Sequence, residues 1–285
     1  MKKVLLQLDV DRLPSAFDSI VALDSGADEL LRYGAVAPED VPSLVQGTIF
    51  TRGPKDLVNS AIFVGGGNVP AAQEVFDRLP ESFFGPFRVS TMLDPNGSNT
   101  TAAAAVRCVE RTLGSLEGRH AVVLAGVGPV GSRTLLMLAR AGATIRFTGS
   151  NPERLERKLR EFRGQFGERV DATLAPRAGE AAPLLEGADL LIAAGPEGRQ
   201  LMKKSDWAGA PSLKVAVDLN AVPPLGLEGI EPGDDGAQRE GKTVFGALGT
   251  GKYKMKIHRR CIAALFESTD KSFDAESIFE LSHSL

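Results

Sequence analysis

The sequence contains few of the residues that build metal sites and disulfide frameworks: two cysteines, three histidines and one tryptophan among 285 residues. Cys108 and Cys261 lie far apart, each within a helical pattern. We therefore expect two buried free thiols and a reducing compartment. The histidines His120, His258 and His283 are equally scattered, a spacing that does not indicate zinc or another metal.

The net charge of the chain is small, and its apolar runs are short. The chain has 33 basic and 36 acidic residues, a formal net charge of −3, which argues against a nucleic-acid or membrane-binding surface. No apolar stretch approaches the roughly 20 residues of a membrane span, and the N-terminus has no signal-peptide core. We expect a cytoplasmic protein that binds neither nucleic acid nor membranes. The length allows two domains of ordinary size.

The strongest motif is a Gly-x-Gly-x-x-Gly segment between a short apolar run and a Leu-rich helical pattern. Strand, tight turn and helix in this order are the context of a dinucleotide-binding fingerprint. The first glycine permits the turn, the second lets a pyrophosphate approach the backbone, and the third lets the helix pack near the strand. The helix N-terminus would face the phosphates. The predicted phosphate loop comprises Gly126, Gly128, Pro129, Val130 and Gly131.

The end of the next strand bears on the choice between NAD and NADP. An NAD site usually has Asp or Glu there, bound to the ribose 2′-hydroxyl. Here residues 143–148 run into small polar residues, and an arginine follows on the next helix. This favours NADP, because a guanidinium can pair with the 2′-phosphate. Alternatively, this arginine belongs to a solvated, charged helix face. The residues predicted near the 2′-phosphate are Ser150, Asn151 and Arg154.

Strands alternate with helices along most of the chain, which predicts parallel βαβ units and an α/β fold. We expect an N-terminal α/β substrate domain of residues 1–101 and 253–285, with the C-terminal helices packing back on it. Residues 102–252 form the predicted Rossmann-type domain with a linking helix. Ligands bind at the carboxyl ends of parallel strands. The residues predicted on the nicotinamide side are Ala194, Gly195, Asn220, Gly246 and Leu248.

Four segments have less regular patterns. Residues 27–31 and 178–185 fit helices, residues 48–51 fit a short strand, and residues 226–241 fit a loop rich in Gly and acidic residues.

A polar turn at residues 94–101 precedes an Ala-rich helix predicted over residues 102–113. The helix cap is expected at Ser98 or Asn99. This polar turn serves either as a cap alone or also as part of a ligand-binding cleft.

Six segments carry a family resemblance, five of them outside the fingerprint: residues 61–67, 83–90, 93–104, 121–131, 220–226 and 245–249. They resemble those of the NADP-dependent methylene-tetrahydromethanopterin dehydrogenases of methylotrophic and related bacteria. The resemblance runs end to end and is closest to the form that also accepts methylene-tetrahydrofolate. It implies oxidation of N5,N10-methylene-tetrahydromethanopterin to the methenyl form by a soluble homo-oligomer, such as a trimer or hexamer, with NADP accepting the hydride.

The resemblance also implies a pterin cleft between the two domains. It places Lys254 there, with a role that is either a hydrogen bond to a pterin carbonyl or an ion pair with a carboxylate. The alternative is a surface lysine, because Lys252 and Lys256 alternate with it. The residues implied near the substrate are Asp18, Ser98, Asn99, Thr101 and His258.

Two departures from the family pattern concern specificity. Relatives have Arg-Lys where this chain has Ser150 and Asn151, so Arg154 would carry more of the 2′-phosphate contact. Lys252 and Tyr253 replace a smaller apolar pair, which could tune the choice of pterin.

Three other functions compete with this interpretation. The first is an NADP-dependent methylene-tetrahydrofolate dehydrogenase, with or without cyclohydrolase activity. The Tyr-x-x-x-Lys motif of bifunctional folate enzymes is not evident near Lys55, which argues against the cyclohydrolase activity. A non-catalytic NADP-binding sensor would lose the polar groups of residues 94–101, which are present. A shikimate-type dehydrogenase would need a Lys-Asp pair in the cleft, and no such pair can be assigned.

Overall fold

The computed structural model describes all 285 residues, from Met1 to Leu285. The chain divides into two compact units, the first formed by Met1–Thr100 with Met255–Leu285 and the second by Thr101–Lys254. The boundaries expected from the sequence lie within two residues of these. None of the helices combines the length and apolar character that a membrane span requires.

Twelve strands and nine α-helices make up the two units. The strands are β1 (Val4–Asp9), β2 (Glu29–Tyr33), β3 (Ser60–Gly65), β4 (Ser90–Leu93), β5 (His120–Leu124), β6 (Thr144–Gly149), β7 (Val170–Leu174), β8 (Leu190–Ala193), β9 (Val215–Asp218), β10 (Asp235–Arg239), β11 (Lys242–Phe245) and β12 (Ser272–Phe273). The helices are α1 (Ala16–Asp24), α2 (Val41–Ile49), α3 (Val69–Arg78), α4 (Ser98–Leu113), α5 (Pro129–Arg140), α6 (Pro152–Phe166), α7 (Lys204–Ala208), α8 (Ala247–Ala264) and α9 (Ala275–Ser282).

The first unit contains a five-stranded sheet in the order β12-β4-β3-β1-β2, with every neighbouring pair parallel. The central strands are buried and apolar, as expected where helices cover both faces of a parallel sheet. Leu8, Ile62, Val64 and Leu93 from three of these strands belong to one core cluster. The carboxyl ends of β1, β3 and β4 consequently lie at the same edge of the sheet.

The second unit contains a seven-stranded sheet in the order β10-β11-β9-β8-β5-β6-β7. Counted from β5, the six parallel strands follow the order 3-2-1-4-5-6 of a Rossmann fold. Strand β10 is added at the edge and pairs antiparallel with β11. The fingerprint strand β5 is central, between β8 and β6.

Two of the less regular predictions in the first unit are wrong. The helix expected over residues 27–31 is strand β2, whose pairing with β1 decides its conformation. Most of this edge strand is exposed, so it lacks the alternation that identifies a half-buried strand. The strand expected over residues 48–51 is instead the end of α2 and the turn after it, with Thr48 and Ile49 buried beside Val41 and Val45. These spacings of four, seven and eight residues define one helix face.

Two predictions in the second unit also fail. Residues 178–185 form turns and a short 3-10 helix, Ala182–Leu185, because Gly179 has a positive φ of 86° and Pro183 lacks an N–H donor. The loop expected over residues 226–241 includes strand β10, which pairs with β11 and needs no alternating pattern of its own.

Candidate functional site

The phosphate loop predicted from the glycine motif joins β5 directly to α5. Gly128 is the N-cap of α5 and supplies no side-chain hydrogen bond, so the first-turn N–H groups are available to an anion. A Cβ on Gly131 would lie 2.5 Å from the carbonyl oxygen of Ala125, and a Cβ on Gly126 would lie 2.9 Å from Phe147. At Gly128 the nearest atom would be 3.5 Å away. Gly126 and Gly131 therefore allow close packing within the protein, whereas Gly128 leaves open space beside the backbone.

The end of β6 carries small residues and no carboxylate. Ser150 and Arg154 are exposed, whereas the side-chain oxygen of Asn151 accepts the backbone N–H of Arg154 at 2.9 Å and caps α6. The sequence did not single out Thr148, whose hydroxyl accepts the Ala125 N–H at 3.0 Å. This bond ties the end of β6 to the phosphate loop. An uncapped helix, open space at Gly128 and an exposed guanidinium together fit a phosphorylated dinucleotide.

Two of the residues predicted on the nicotinamide side already form hydrogen bonds within the protein. Ala194 and Gly195 follow β8, and the Ala194 N–H donates to Leu124 O at 3.1 Å. The amide of Asn220 is engaged within its own loop, accepting from Val222 N at 2.9 Å and donating to Pro224 O at 3.2 Å.

The start of α8 passes very close to the preceding loop. A Cβ on Gly246 would lie 2.0 Å from Glu231 O, so only glycine fits there without displacing backbone. Leu248, in the first turn of α8, leaves 61% of its surface exposed.

A residue that the sequence analysis missed organises the loop after β9. Asp218 accepts hydrogen bonds from Asn220 N at 3.1 Å and Leu227 N at 2.8 Å. Burial raises the pKa of this carboxyl to about 6, an effect that its backbone hydrogen bonds partly oppose. The carboxyl therefore ionises at a higher pH than an exposed aspartate does.

The first unit brings polar side chains together at the carboxyl edge of its sheet. Asp9 ends β1, Asp94 follows β4, and Asp18 lies in the first turn of α1. His258 of α8 lies between two of these carboxylates, with Nε2 4.0 Å from Asp18 Oδ1 and Nδ1 4.0 Å from Asp94 Oδ2. Its ring stacks on Phe63, with the centroids 5.9 Å apart. Asp9, Asp94 and Phe63 were not identified from the sequence, although Asp9 and Asp94 stand at strand ends.

The cap of α4 differs from the expected one. Asp94 accepts the backbone N–H groups of Asn99 at 2.9 Å and Thr100 at 3.1 Å, and the Thr100 hydroxyl at 2.6 Å. The cap expected at Ser98 or Asn99 is therefore wrong, because the buried carboxylate reaches N–H donors five and six residues onward. The side chains of Ser98 and Asn99 donate to Pro95 O at 2.7 Å and Leu93 O at 2.6 Å.

The remaining predicted substrate residues lie on helices α4 and α8. Thr101 is half-buried on α4, and Lys254 is half-buried on α8, one turn before His258. Lys256 is exposed, and Lys252 forms an ion pair with Asp235 at 3.2 Å. Lys254 is thus more buried than Lys252 and Lys256, which are four residues apart and share an exposed face of the helix.

Both cysteines are free and buried, as the sequence predicts. Burial raises the pKa of the Cys108 thiol to about 11, so this thiol stays protonated near neutral pH and is a poor nucleophile. The Cys261 thiol pKa is also raised, chiefly by burial and further by the charge of Asp94.

The strand order of the second unit and its open glycine loop define a Rossmann-type dinucleotide-binding protein. A family model described as methylene-tetrahydromethanopterin dehydrogenase, N-terminal, matches residues 16–96. The chain is 45% identical over 283 residues to the bifunctional protein MdtA of Methylorubrum extorquens, covering 98% of both chains. Together with a second relative that is itself a methylenetetrahydromethanopterin dehydrogenase, these matches show that the chain belongs to the methylene-tetrahydromethanopterin dehydrogenase family.

A second relative and two solved structures extend this comparison. The NAD(P)-dependent methylenetetrahydromethanopterin dehydrogenase of the same organism is 36% identical, with 90% of this chain and 89% of the relative covered. Shikimate 5-dehydrogenase from Listeria monocytogenes has a TM-score of 0.54 at 13% identity, covering 98% and 96% of the two chains. Ornithine carbamoyltransferase from Pyrococcus furiosus has a TM-score of 0.56 at 12% identity, covering 94% and 85%. At these identities the two structures share only the fold.

Proposed function

We propose that this protein oxidises N5,N10-methylene-tetrahydromethanopterin to the methenyl form with NADP. The observation that carries the proposal is the 36% identity over 267 residues to an NAD(P)-dependent methylenetetrahydromethanopterin dehydrogenase, together with the open phosphate loop around Gly128. NADP, when bound, supplies the hydride acceptor. The uncapped N-terminus of α5 would hold its pyrophosphate, and Arg154 would pair with its 2′-phosphate.

The chemistry places limited demands on the protein. The methylene carbon lies between two nitrogens, so a nitrogen lone pair stabilises the cation that forms when hydride leaves. No proton is removed in that step, and no strong general base is required. The protein's task is to hold the substrate in near-attack geometry and to exclude water.

The substrate-binding residues in this proposal are the polar groups that the first unit and α8 present. Asp18 would accept hydrogen bonds from the pterin N–H groups, and Lys254 would donate to its carbonyl oxygen. Ser98, Asn99 and Thr101 lie at the start of α4, where Ser98 and Asn99 are buried and hydrogen-bonded. Their part in the proposal is to fix the shape of the site. His258, which is buried next to Asp18, would likewise help to fix the shape of the site.

The proposal also includes a cytoplasmic homo-oligomer. Phe17, Ile20 and Leu23 leave 50%, 59% and 49% of their surfaces exposed, at three-residue spacing on α1. An exposed apolar face of this kind favours burial against another chain. Light scattering of the purified protein would report a single mass above 30.2 kDa for an oligomer, whereas the monomer mass would contradict this part.

The experiment that tests the proposed activity is a spectrophotometric assay with methylene-tetrahydromethanopterin or methylene-tetrahydrofolate, each with NADP and with NAD. Turnover of the methanopterin derivative with NADP is expected. Preference for the folate derivative would instead assign the folate dehydrogenase activity. NADP binding without any turnover would favour the sensor.

A pair of lysine variants tests the role of Lys254 within the same assay. Lys254→Ala should lower kcat/KM at least about tenfold, or about 1.4 kcal/mol. The exposed neighbour substitution Lys256→Ala is the matched control and should leave kcat/KM within about twofold. A loss below about twofold for Lys254→Ala, roughly 0.4 kcal/mol, would reject the role.

A further inference from the structure

His258 has a more specific environment than a substrate-contacting histidine would need. Its side chain is fully buried, and one ring face stacks on Phe63 at an interplanar angle of 14°. The half-exposed Phe17 lies tilted against it, with ring centroids 6.3 Å apart. The imidazole is thus enclosed by aromatic rings, and its two nitrogens each lie 4.0 Å from a different carboxylate, within ion-pair distance but beyond a hydrogen bond.

The two carboxylates have different surroundings. Asp94 is completely buried and holds the start of α4 through three hydrogen bonds. Asp18 retains 8% exposure of its side chain and lies in the short helix α1, after the cap Ser15. His258 therefore connects a carboxylate fixed inside the unit with one nearer its surface.

Charge compensation favours the imidazolium form of His258. A neutral ring would leave Asp18 and Asp94 as two buried anions about 4 Å from it, a costly arrangement. Asp9 adds a third carboxylate, because its Oδ2 and Asp18 Oδ2 would both lie within 4 Å of a Cβ on Gly65.

Among the titratable side chains within one turn of His258 on α8 are Cys261 and Lys254. Cys261 follows by three residues, and its thiol stays protonated because burial and the charge of Asp94 raise its pKa. Lys254 is one turn earlier on α8. Each ring nitrogen of His258 lies 4.0 Å from one of the two carboxylates.

We propose that His258 is a positioning residue: as an imidazolium bridging Asp94 and Asp18, it holds the Asp18 carboxylate in the orientation that binds the pterin. This rests on the proposed function for the identity of the ligand. It also revises the expectation that His258 itself contacts the substrate. The bridge links the polar turn before α4 to α1 through one side chain of α8.

The charge state is measured on the wild-type protein by 15N-histidine NMR across pH 6 to 9. With three histidines in the chain, His120→Gln and His283→Gln identify the His258 signal by elimination. Both His258 ring nitrogens should stay protonated through this range. A neutral ring, or one that loses its proton near the ordinary histidine value of about 6.5, would overturn the bridge.

Kinetics of the holoenzyme test the positioning role. His258→Gln should raise the KM for the methylene pterin at least about tenfold and leave the KM for NADP within about twofold. Asp18→Asn should give a similar loss, and the double variant should lose little more, because both changes break one unit. His283→Gln, at the end of α9, is the matched control with unchanged KM values. Equal losses for both substrates, or additive losses in the double variant, would contradict the role.

These measurements separate the two proposals. Absence of turnover by the wild-type enzyme with any methylene pterin would refute the proposed function and, with it, the pterin as the ligand of Asp18. The NMR titration needs no turnover and decides by itself whether His258 is the charged bridge. If His258→Gln fails to fold, Asp18→Asn carries the kinetic test.

Discussion

The hydroxyl of Thr100 donates to the carboxylate of Asp94 at 2.6 Å, inside the first turn of α4. The same carboxylate accepts two backbone N–H groups of that turn. A buried residue before the helix, and not the Ser or Asn at its start, thus satisfies the first N–H donors. Asp94 is therefore a principal determinant of where α4 begins.

Asp94→Ala should destabilise the protein by about 2–4 kcal/mol, because it leaves three buried donors without their acceptor. Ser98→Ala is the matched control, since it removes one hydrogen bond to Pro95 O and should cost about 1 kcal/mol. Urea unfolding of both variants measures the difference. Equal costs would show that Asp94 is not the main cap.

Gly128→Ala should abolish or weaken NADP binding at least about tenfold while the protein remains folded. The backbone at this position has φ −75°, which alanine adopts readily, and a Cβ would meet no protein atom closer than 3.5 Å. The new methyl group would instead occupy the space assigned to the pyrophosphate. Fluorescence titration with NADPH measures the affinity.

Gly164→Ala is the control for this substitution. It lies within α6, where a Cβ would meet nothing within 4 Å, and alanine should stabilise the helix by about 1 kcal/mol. Its NADPH affinity should equal that of the wild type. Unchanged affinity in Gly128→Ala as well would mean that the phosphates bind elsewhere.

Arg154→Ala should raise the KM for NADP about five- to tenfold and leave the KM for NAD nearly unchanged. The exposed guanidinium follows a strand end that carries no acid, so only the 2′-phosphate distinguishes the two cofactors there. Arg157→Ala, also exposed on α6, is the matched control. A similar increase for both cofactors would exclude a 2′-phosphate contact.

The buried carboxyl of Asp218 should make the free energy of unfolding depend on pH. Burial raises the pKa of the folded Asp218 carboxyl to about 6, above the ordinary aspartate value of about 3.9, so the folded state binds the proton more tightly than the unfolded state. This contribution is fully present below about pH 4 and is lost as the pH rises through 6, by about 3 kcal/mol in total.

The measurement compares the free energy of unfolding of the wild type and Asp218→Asn from pH 4 to pH 7.5. The wild type should lose up to about 3 kcal/mol relative to the variant over this range. A difference that does not change with pH would show that Asp218 titrates alike in both states.

The local parts of the fold were predictable because they depend on neighbouring residues. Strand β5, the phosphate loop and helix α5 follow from a short apolar run, the glycine spacing and an apolar helical pattern. Strand β2 was mistaken for a helix because its pairing with β1, and not its own pattern, determines its structure. Strand β10 depends on β11 in the same way.

The site was predictable to a similar extent. Asp18 and His258 were identified by family resemblance, but 240 positions separate them in the sequence, so nothing local indicates that they are 4.0 Å apart. Asp94 was assigned to a polar turn without a role, because its function as the α4 cap depends on burial. Long-range contacts of this kind are visible only once the sheet has brought the strand ends together.

The most direct test of the central claim uses methylene-tetrahydromethanopterin carrying deuterium at both positions of the methylene carbon. The purified protein is incubated with this substrate and NADP, and the NADPH formed is analysed by mass spectrometry. Transfer of one deuterium to each NADPH is expected, because the hydride passes directly from that carbon. NADPH without deuterium, or no NADPH at all from folded, NADP-binding protein, would contradict the assignment as a methylene-tetrahydromethanopterin dehydrogenase.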